Sequence, residues 1–164
     1  MVDASSLPRR ADVVVVGAGP AGLASAIAAR RAGRDVLVVD RAAAAPDKAC
    51  GEGLMPNAVA ALSRLGVRLP REQCGVFRGI RFIENGRVAS GHFRHGSGVG
   101  LRRTSLSRLL LEHAGKLGID VVWNVTAAIS PAGMLSLDGR RIDCRWVVAA
   151  DGVHSPLRRS LKLK

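Results

Sequence analysis

The 164-residue chain is poor in aromatic side chains: they make up 3% of it, and there is no tyrosine. It therefore lacks the stacking platforms on which proteins hold single-stranded bases. Cysteine is sparse and odd in number. Cys50, Cys74 and Cys144 give neither a disulfide framework nor a metal-ligand spacing, which fits a reducing, cytoplasmic compartment. His92, His95, His113 and His154 share no ligand spacing either, so no metal is expected. No apolar run approaches the roughly 20 residues of a membrane span. Arg9-Arg10 before Val13–Val16 imitates a signal peptide, but Gly17, Gly19 and Gly22 interrupt the run and no small-residue cleavage site follows. Acidic residues are scarce: 13 against 25 basic ones, a net charge of +12. Lysine is scarcer, since 21 of the 25 basic residues are arginine. They are scattered singly and in pairs, whereas a nucleic-acid arm shows a dense run. The charge reads as a compositional habit, or as one half of a protein whose balancing acids lie elsewhere. A basic nucleic-acid-binding module is retained only as an alternative, and it predicts binding that falls steeply with salt.

What the chain does have is apolar content, 48%, at a length that suits one ordinary domain and excludes wholesale disorder. Residues 1–11 are polar and read as frayed. Residues 12–16 (DVVVV) form a β-branched run of the kind found in buried parallel strands. Residues 20–32 are alanine-rich and helical, closed by Gly33, and 35–39 (DVLVV) are a second buried strand, which completes a βαβ unit. A loop over 41–53 leads to a short helix at 56–65 with Pro56 in its first turn and Gly66 at its end. GIRFIE and RVASGHF flank Asn85-Gly86, a hairpin signal inside an excursion over 75–100. Residues 104–117 are an amphipathic helix with Thr104 or Ser105 as cap and Leu106, Leu109, Leu110 and Leu117 as its stripe. IDVVW (119–123) is a strand. AAIS, MLSL and RRID make a small meander with a turn at Asp138-Gly139, and WVVAADG (146–152) is the last buried strand.

The strongest signal is Gly17-Ala18-Gly19-Pro20-Ala21-Gly22. It leaves a buried strand, opens a helix, and is answered 18 residues later by Asp40 at the end of the next strand. Gly17 permits the tight turn, Gly19 lets the backbone approach a pyrophosphate, and Gly22 permits close packing. The helix end offers unpaired N–H groups and partial positive charge to phosphates. Asp40 can accept the hydroxyl protons of a ribose, and its charge repels a 2′-phosphate, so the pattern favours FAD or NAD over NADP at this turn.

The segment Lys48-Ala49-Cys50-Gly51-Glu52-Gly53 resembles the K-x-C-G-x-G loop of geranylgeranyl reductase-like flavoproteins, relatives of the aromatic-hydroxylase type of FAD monooxygenase. Arg103-Thr104-Ser105-Leu106 resembles their R-x-x-L segment, and Asp151-Gly152-Val153-His154-Ser155-Pro156-Leu157-Arg158 matches their D-G-x-x-S-x-x-R motif. With the glycine turn, four segments stand in the family's order over about residues 12–158. The resemblance implies that Gly17, Gly19, Pro20, Ala21 and Gly22 hold the FAD pyrophosphate, Asp40 the adenosine ribose, and Arg41 a place near adenine. It sets Lys48, Cys50 and Gly51 beside the isoalloxazine ring and Arg103 toward the pyrophosphate and ribityl side. Ala127 would offer backbone contacts to adenine, and Asp151 and Gly152 would lie by the pyrophosphate. Each has a plainer reading: Cys50 as a packing residue, Lys48 solvated, Arg102 and Arg103 as helix-flanking charges, and Glu52 as either loop-exposed or active. Cys74 and Cys144 read as structural.

The expected fold is α/β: a doubly wound Rossmann-type FAD-binding domain over 1–164 with a small antiparallel meander, its 75–100 excursion adding strands to a substrate-side sheet. The family's second G-D segment and most of its substrate sheet lie beyond such a stretch, so the chain reads as a truncated, N-terminal half that lacks a C-terminal half or partner chain. An exposed sheet edge is expected in consequence. The resemblance implies an oxidoreductase that draws electrons from NAD(P)H. It then either transfers an oxygen atom to a small organic substrate or reduces a carbon–carbon double bond, with isoprenoid and aromatic compounds as the candidates. No residue stands out as a catalytic acid or base. A nicotinamide-binding Rossmann domain without flavin is the other alternative; it leaves residues 48–56 and 151–158 unexplained.

Overall fold

The computed structural model describes residues 7–48 and 50–163. In chain order the elements are β1 (Arg10–Val16), α1 (Pro20–Arg31), β2 (Val36–Asp40), β3 (Gly53–Leu54), α2 (Pro56–Arg64), β4 (Gly75–Phe77), β5 (Gly79–Glu84), β6 (Arg87–His92), β7 (Gly98–Gly100), α3 (Arg103–Lys116), β8 (Asp120–Trp123), β9 (Ala127–Ile129), β10 (Leu135–Leu137), β11 (Arg140–Arg141), β12 (Asp143–Ala149) and α4 (Pro156–Ser160). They fall into two compact units. One comprises the chain up to Pro46 and from Leu110 onward, the other Asp47–Leu109.

The first unit is built on a four-stranded sheet in the order β12-β1-β2-β8, with every pairing parallel. Such a sheet is buried on both faces, which is why its central strands read as unbroken Val runs. Alternate residues divide between the faces. Val14, Val16, Leu37, Val39 and Val122 pack with Leu135 and Leu137 of the meander and with Leu157. On the other face α1 buries Leu23, Ala26 and Ile27. Each Val, Leu or Ile side chain among them contributes about 1.5–3 kcal/mol when fully buried. The meander β9-β10-β11 is antiparallel and turns at Asp138 and Gly139, both at positive φ. This is the Rossmann-type α/β architecture expected, with the meander where it was read.

Two details of this unit differ. Leu7 is buried in the meander-side core and β1 already starts at Arg10, so the described part of the 1–11 stretch is not frayed; residues 1–6 lie outside the described residues. β12 starts at Asp143, ahead of the Trp146 expected, because pairing with β1 begins at Arg10. β12 forms the sheet edge that was expected, and its Trp146 is 66% exposed.

In the second unit a three-stranded antiparallel sheet runs β3-β7-β4. Gly98 of β7 is required there: a Cβ would be driven into the Phe77 ring, which stacks edge-on to Phe93 at a centroid distance of 5.6 Å. The Asn85-Gly86 hairpin forms as read, with both residues at positive φ, and pairs β5 with β6 from Gly79↔His92 to Glu84↔Arg87. It is a separate two-stranded ribbon whose Phe82 and Ile83 are exposed. α3 begins at Arg103, so Thr104 and Ser105 lie inside its first turn instead of capping it.

Candidate functional site

The first unit gathers the glycine turn, Asp40 and the Asp151-Gly152 segment. α1 starts on Gly19, an extended residue that makes no side-chain cap, and its first turn contains no acidic residue. Among the described residues, no side chain accepts from the first N–H groups of the helix, whose positive end stays free. A Cβ at Gly19 would meet nothing within 4 Å, so the backbone there is open to close approach. Gly17 and Gly22 are constrained by the protein itself. Gly17 sits at φ +110°, and a Cβ on it would be driven into the Ala150 carbonyl; one on Gly22 would be driven into the Gly17 carbonyl. Pro20 occupies the first helical position, where its missing N–H costs nothing.

Asp40 closes the turn. Its Oδ2 accepts from the Ala18 N–H at 2.7 Å and its Oδ1 from the Ala42 N–H at 2.9 Å. The carboxylate thus shapes the turn and the start of the following loop, a task that sequence reasoning missed. The signal was there in part: Ala18 is the one residue between Gly17 and Gly19. Arg41 follows on the surface. The Asp40 carbonyl accepts from Val125 N–H at 3.0 Å, which brings the segment leading to Ala127 alongside the strand end.

Asp151 and Gly152 leave β12 next to Gly17. Gly152 has φ +95°, a left-handed conformation that favours glycine. Asp151 Oδ2 accepts from Leu157 N–H at 3.2 Å, Ser155 Oγ from Arg158 N–H at 2.9 Å, and the Arg158 guanidinium donates to the Val153 carbonyl at 3.1 Å. The D-G-x-x-S-x-x-R motif is thus a self-bonded turn. One atom is left over: Asp151 Oδ1 is buried with no hydrogen-bond partner among the described residues. A buried oxygen of this kind calls for a donor. A helix end without a side-chain cap, an open glycine, a ribose-competent carboxylate and this lone acceptor together suit a dinucleotide with a pyrophosphate and hydroxyl groups.

The second unit holds Lys48, Cys50, Gly51 and Arg103; Ala49 lies outside the described residues. Lys48, Cys50 and Gly51 are exposed. Cys50 Sγ accepts from Glu52 N–H at 3.4 Å. Glu52 is left-handed at φ +52°; its carbonyl accepts from Leu101 N–H at 2.8 Å and its carboxylate from Arg103 N–H at 3.0 Å. The Cys50–Gly53 loop and the start of α3 are therefore one bonded piece, next to an open hollow of about 420 Å³ lined by Gly51, Glu52, Phe77 and Arg102. Glu52 is an exposed loop residue, as one of its two readings had it, and it is bonded through both its carbonyl and its carboxylate.

Among the described residues no group of three or more His, Cys, Asp or Glu could hold a metal ion, and no helix is long and apolar enough to cross a membrane. The thiol pKa of Cys144 on β12 is pushed up by burial and, secondarily, by the neighbouring Asp143 charge.

Comparison with known proteins gives the same picture. A menaquinone reductase of Mycobacterium tuberculosis is 39% identical over 95% of this chain and 41% of its own length. An asperlicin C monooxygenase of Petromyces alliaceus is 31% identical over 91% of this chain and 35% of its own. The crystal structure of a geranylgeranyl bacteriochlorophyll reductase-like protein from Thermoplasma acidophilum superposes with a TM-score of 0.74 at 25% identity, over 95% of this chain and 43% of that one. The chain thus spans about two fifths of the length of the curated relatives it matches. The FAD binding domain family matches residues 10–164, including the 48–56 and 151–158 segments that a nicotinamide-only domain leaves unexplained. On that match, the chain belongs to the FAD binding domain family.

Proposed function

We propose that this chain is the FAD-binding part of an NAD(P)H-dependent, cytoplasmic flavin oxidoreductase acting on a small organic substrate. The observation that carries the reading is the amino end of α1: no side chain caps it, Gly19 leaves it open, and the lone Asp151 Oδ1 lies on the neighbouring segment. In this reading Gly17, Gly19, Pro20, Ala21 and Gly22 take the pyrophosphate, with Asp151 and Gly152 beside it. Asp40 orients the adenosine ribose, Arg41 and the Ala127 backbone flank adenine, and Arg103 faces the pyrophosphate and ribityl side. Lys48, Cys50 and Gly51 border the flavin ring. The residue 75–100 excursion, with its exposed ribbon, contributes strands to a substrate-side sheet. The remaining substrate contacts come from a part like the one that the relatives have and this chain does not match.

Bound FAD supplies the redox chemistry; the protein supplies binding, orientation and electrostatics. The K-x-C-G-x-G loop and the 39% likeness to a menaquinone reductase favour the reductive branch, with a quinone or an isoprenoid double bond as electron acceptor. Incubation with FAD followed by desalting tests the cofactor assignment: retained flavin bands in the visible are expected, and a colourless chain at saturating FAD contradicts it. NAD(P)H oxidation that proceeds with a quinone under argon supports the reductive branch; strict dependence on oxygen overturns it.

A further inference from the structure

α3 opens with a charge already in place. The Glu52 carboxylate reaches its first residue from outside the helix and accepts the Arg103 N–H at 3.0 Å, while the Glu52 carbonyl takes the Leu101 N–H at 2.8 Å and the Glu52 N–H is spent on Cys50 Sγ at 3.4 Å. Every backbone polar group of this residue, and its carboxylate, is engaged within the second unit. Its φ of +52° is a conformation that a non-glycine residue holds only when its surroundings fix it. A carboxylate at a helix amino end also neutralises the partial positive charge that would otherwise draw an anion there.

We propose that Glu52 is a positioning residue: its carboxylate clamps the Cys50–Gly53 loop to the start of α3, so that loop and Arg103 are held as one piece, and it closes this helix end to phosphate. The proposal rests on the reading of that loop as flavin-facing. It explains why a residue with a side chain stands at a left-handed position between two glycines, where glycine itself would be the unstrained choice. The helix dipole left free for the flavin's phosphates is then that of α1.

The test compares the full chain with Glu52→Gln, which keeps an acceptor oxygen at the same reach, and with Glu52→Ala, which keeps the backbone strain and removes the clamp. Two quantities are read: hydrogen exchange of the Leu101 amide, which needs no flavin, and FAD affinity from quenching of flavin fluorescence. In Glu52→Ala the Leu101 amide is expected to exchange about tenfold faster and FAD to bind about tenfold more weakly, while Glu52→Gln stays within about threefold of the parent on both, as an uncharged acceptor preserves the contact at reduced strength. Unchanged Leu101 protection in Glu52→Ala overturns the clamp, because the backbone bond alone would then hold the loop. Faster Leu101 exchange with unchanged FAD affinity keeps the clamp but overturns its role toward flavin, and with it the flavin-facing reading of the loop.

Discussion

Two helices of this chain start beside glycine-rich loops and are finished in opposite ways. α1 starts on Gly19, with no acid in its first turn and, among the described residues, no side chain accepting from its first N–H groups. α3 starts under the Glu52 carboxylate. Both ends carry the same backbone dipole, worth typically 0.3–1 kcal/mol to a nearby charge. They therefore differ only in whether the protein spends it on its own anion or reserves it for another. The end of α1 can take a phosphate; that of α3 has been neutralised from within. The geometry of the loops follows the same division. Around α1 the glycines keep Cβ atoms out of backbone that must come close, whereas around α3 the loop tolerates a strained glutamate in order to place a carboxylate.

Substitutions at the glycine turn should separate packing from ligand approach. Gly22→Ala drives a Cβ into the Gly17 carbonyl. Overpacking of this kind costs about 1–3 kcal/mol, so both thermal stability and FAD affinity should fall. Gly19→Ala is the sharper variant, since its Cβ meets nothing in the protein. Unfolding should stay within about 1 kcal/mol of the parent, because the lower conformational entropy of the unfolded chain without this glycine roughly offsets the weaker cap. FAD affinity should nevertheless fall about a hundredfold, or about 2.7 kcal/mol. Chemical denaturation alongside flavin titration checks both variants.

Asp40→Ala comes next. It leaves the Ala18 and Ala42 N–H groups without their acceptor, at a cost of about 1–3 kcal/mol where such groups are shielded from water, and it removes the ribose contact. Denaturation midpoints and FAD titration should move together. Asp40→Asn, which keeps one acceptor oxygen but sets an NH2 group against the other N–H, should restore only part of the stability.

The smallest effect concerns the cysteines. Cys144 has its thiol pKa raised by burial and by Asp143, whereas Cys50 is exposed. The neutral thiol is favoured at Cys144, so alkylation followed by mass spectrometry should mark Cys50 first and Cys144 last. The raised value also means that folding stability declines slightly as pH climbs through the ordinary thiol range toward the higher folded value, because there the unfolded chain ionises more readily. Cys144→Ser should flatten that decline.

The comparison of the two helix ends also explains what was legible in the residues alone. The α1 end is a local pattern: a β-branched run, three glycines at fixed offsets, a proline at the first helical position, and an acid at the end of the next strand. Sequence spacing carries all of it, and the fold places it accordingly. The D-G-x-x-S-x-x-R turn is equally local, with every bond inside eight residues. The cap of α3 is not: the carboxylate lies 51 residues before the N–H it accepts, so Thr104 and Ser105 looked like the natural caps and turned out to lie within the helix. Leu7 was misread for the same reason, since it is buried against meander residues more than a hundred positions away. Asp40 was legible as a ligand group but not as the acceptor that shapes the turn, because that bond needs β1 and β2 paired before Ala18 and Asp40 meet.

In the proposed reading, the amino end of α1 is the phosphate-binding end of this chain. The most direct test is the ratio of FAD dissociation constants between the parent and Gly19→Ala, measured on proteins with matched denaturation curves. A ratio near a hundred with stability unchanged is the expected result. Equal affinities in two equally stable proteins would contradict it and would place the flavin phosphates somewhere other than the glycine turn.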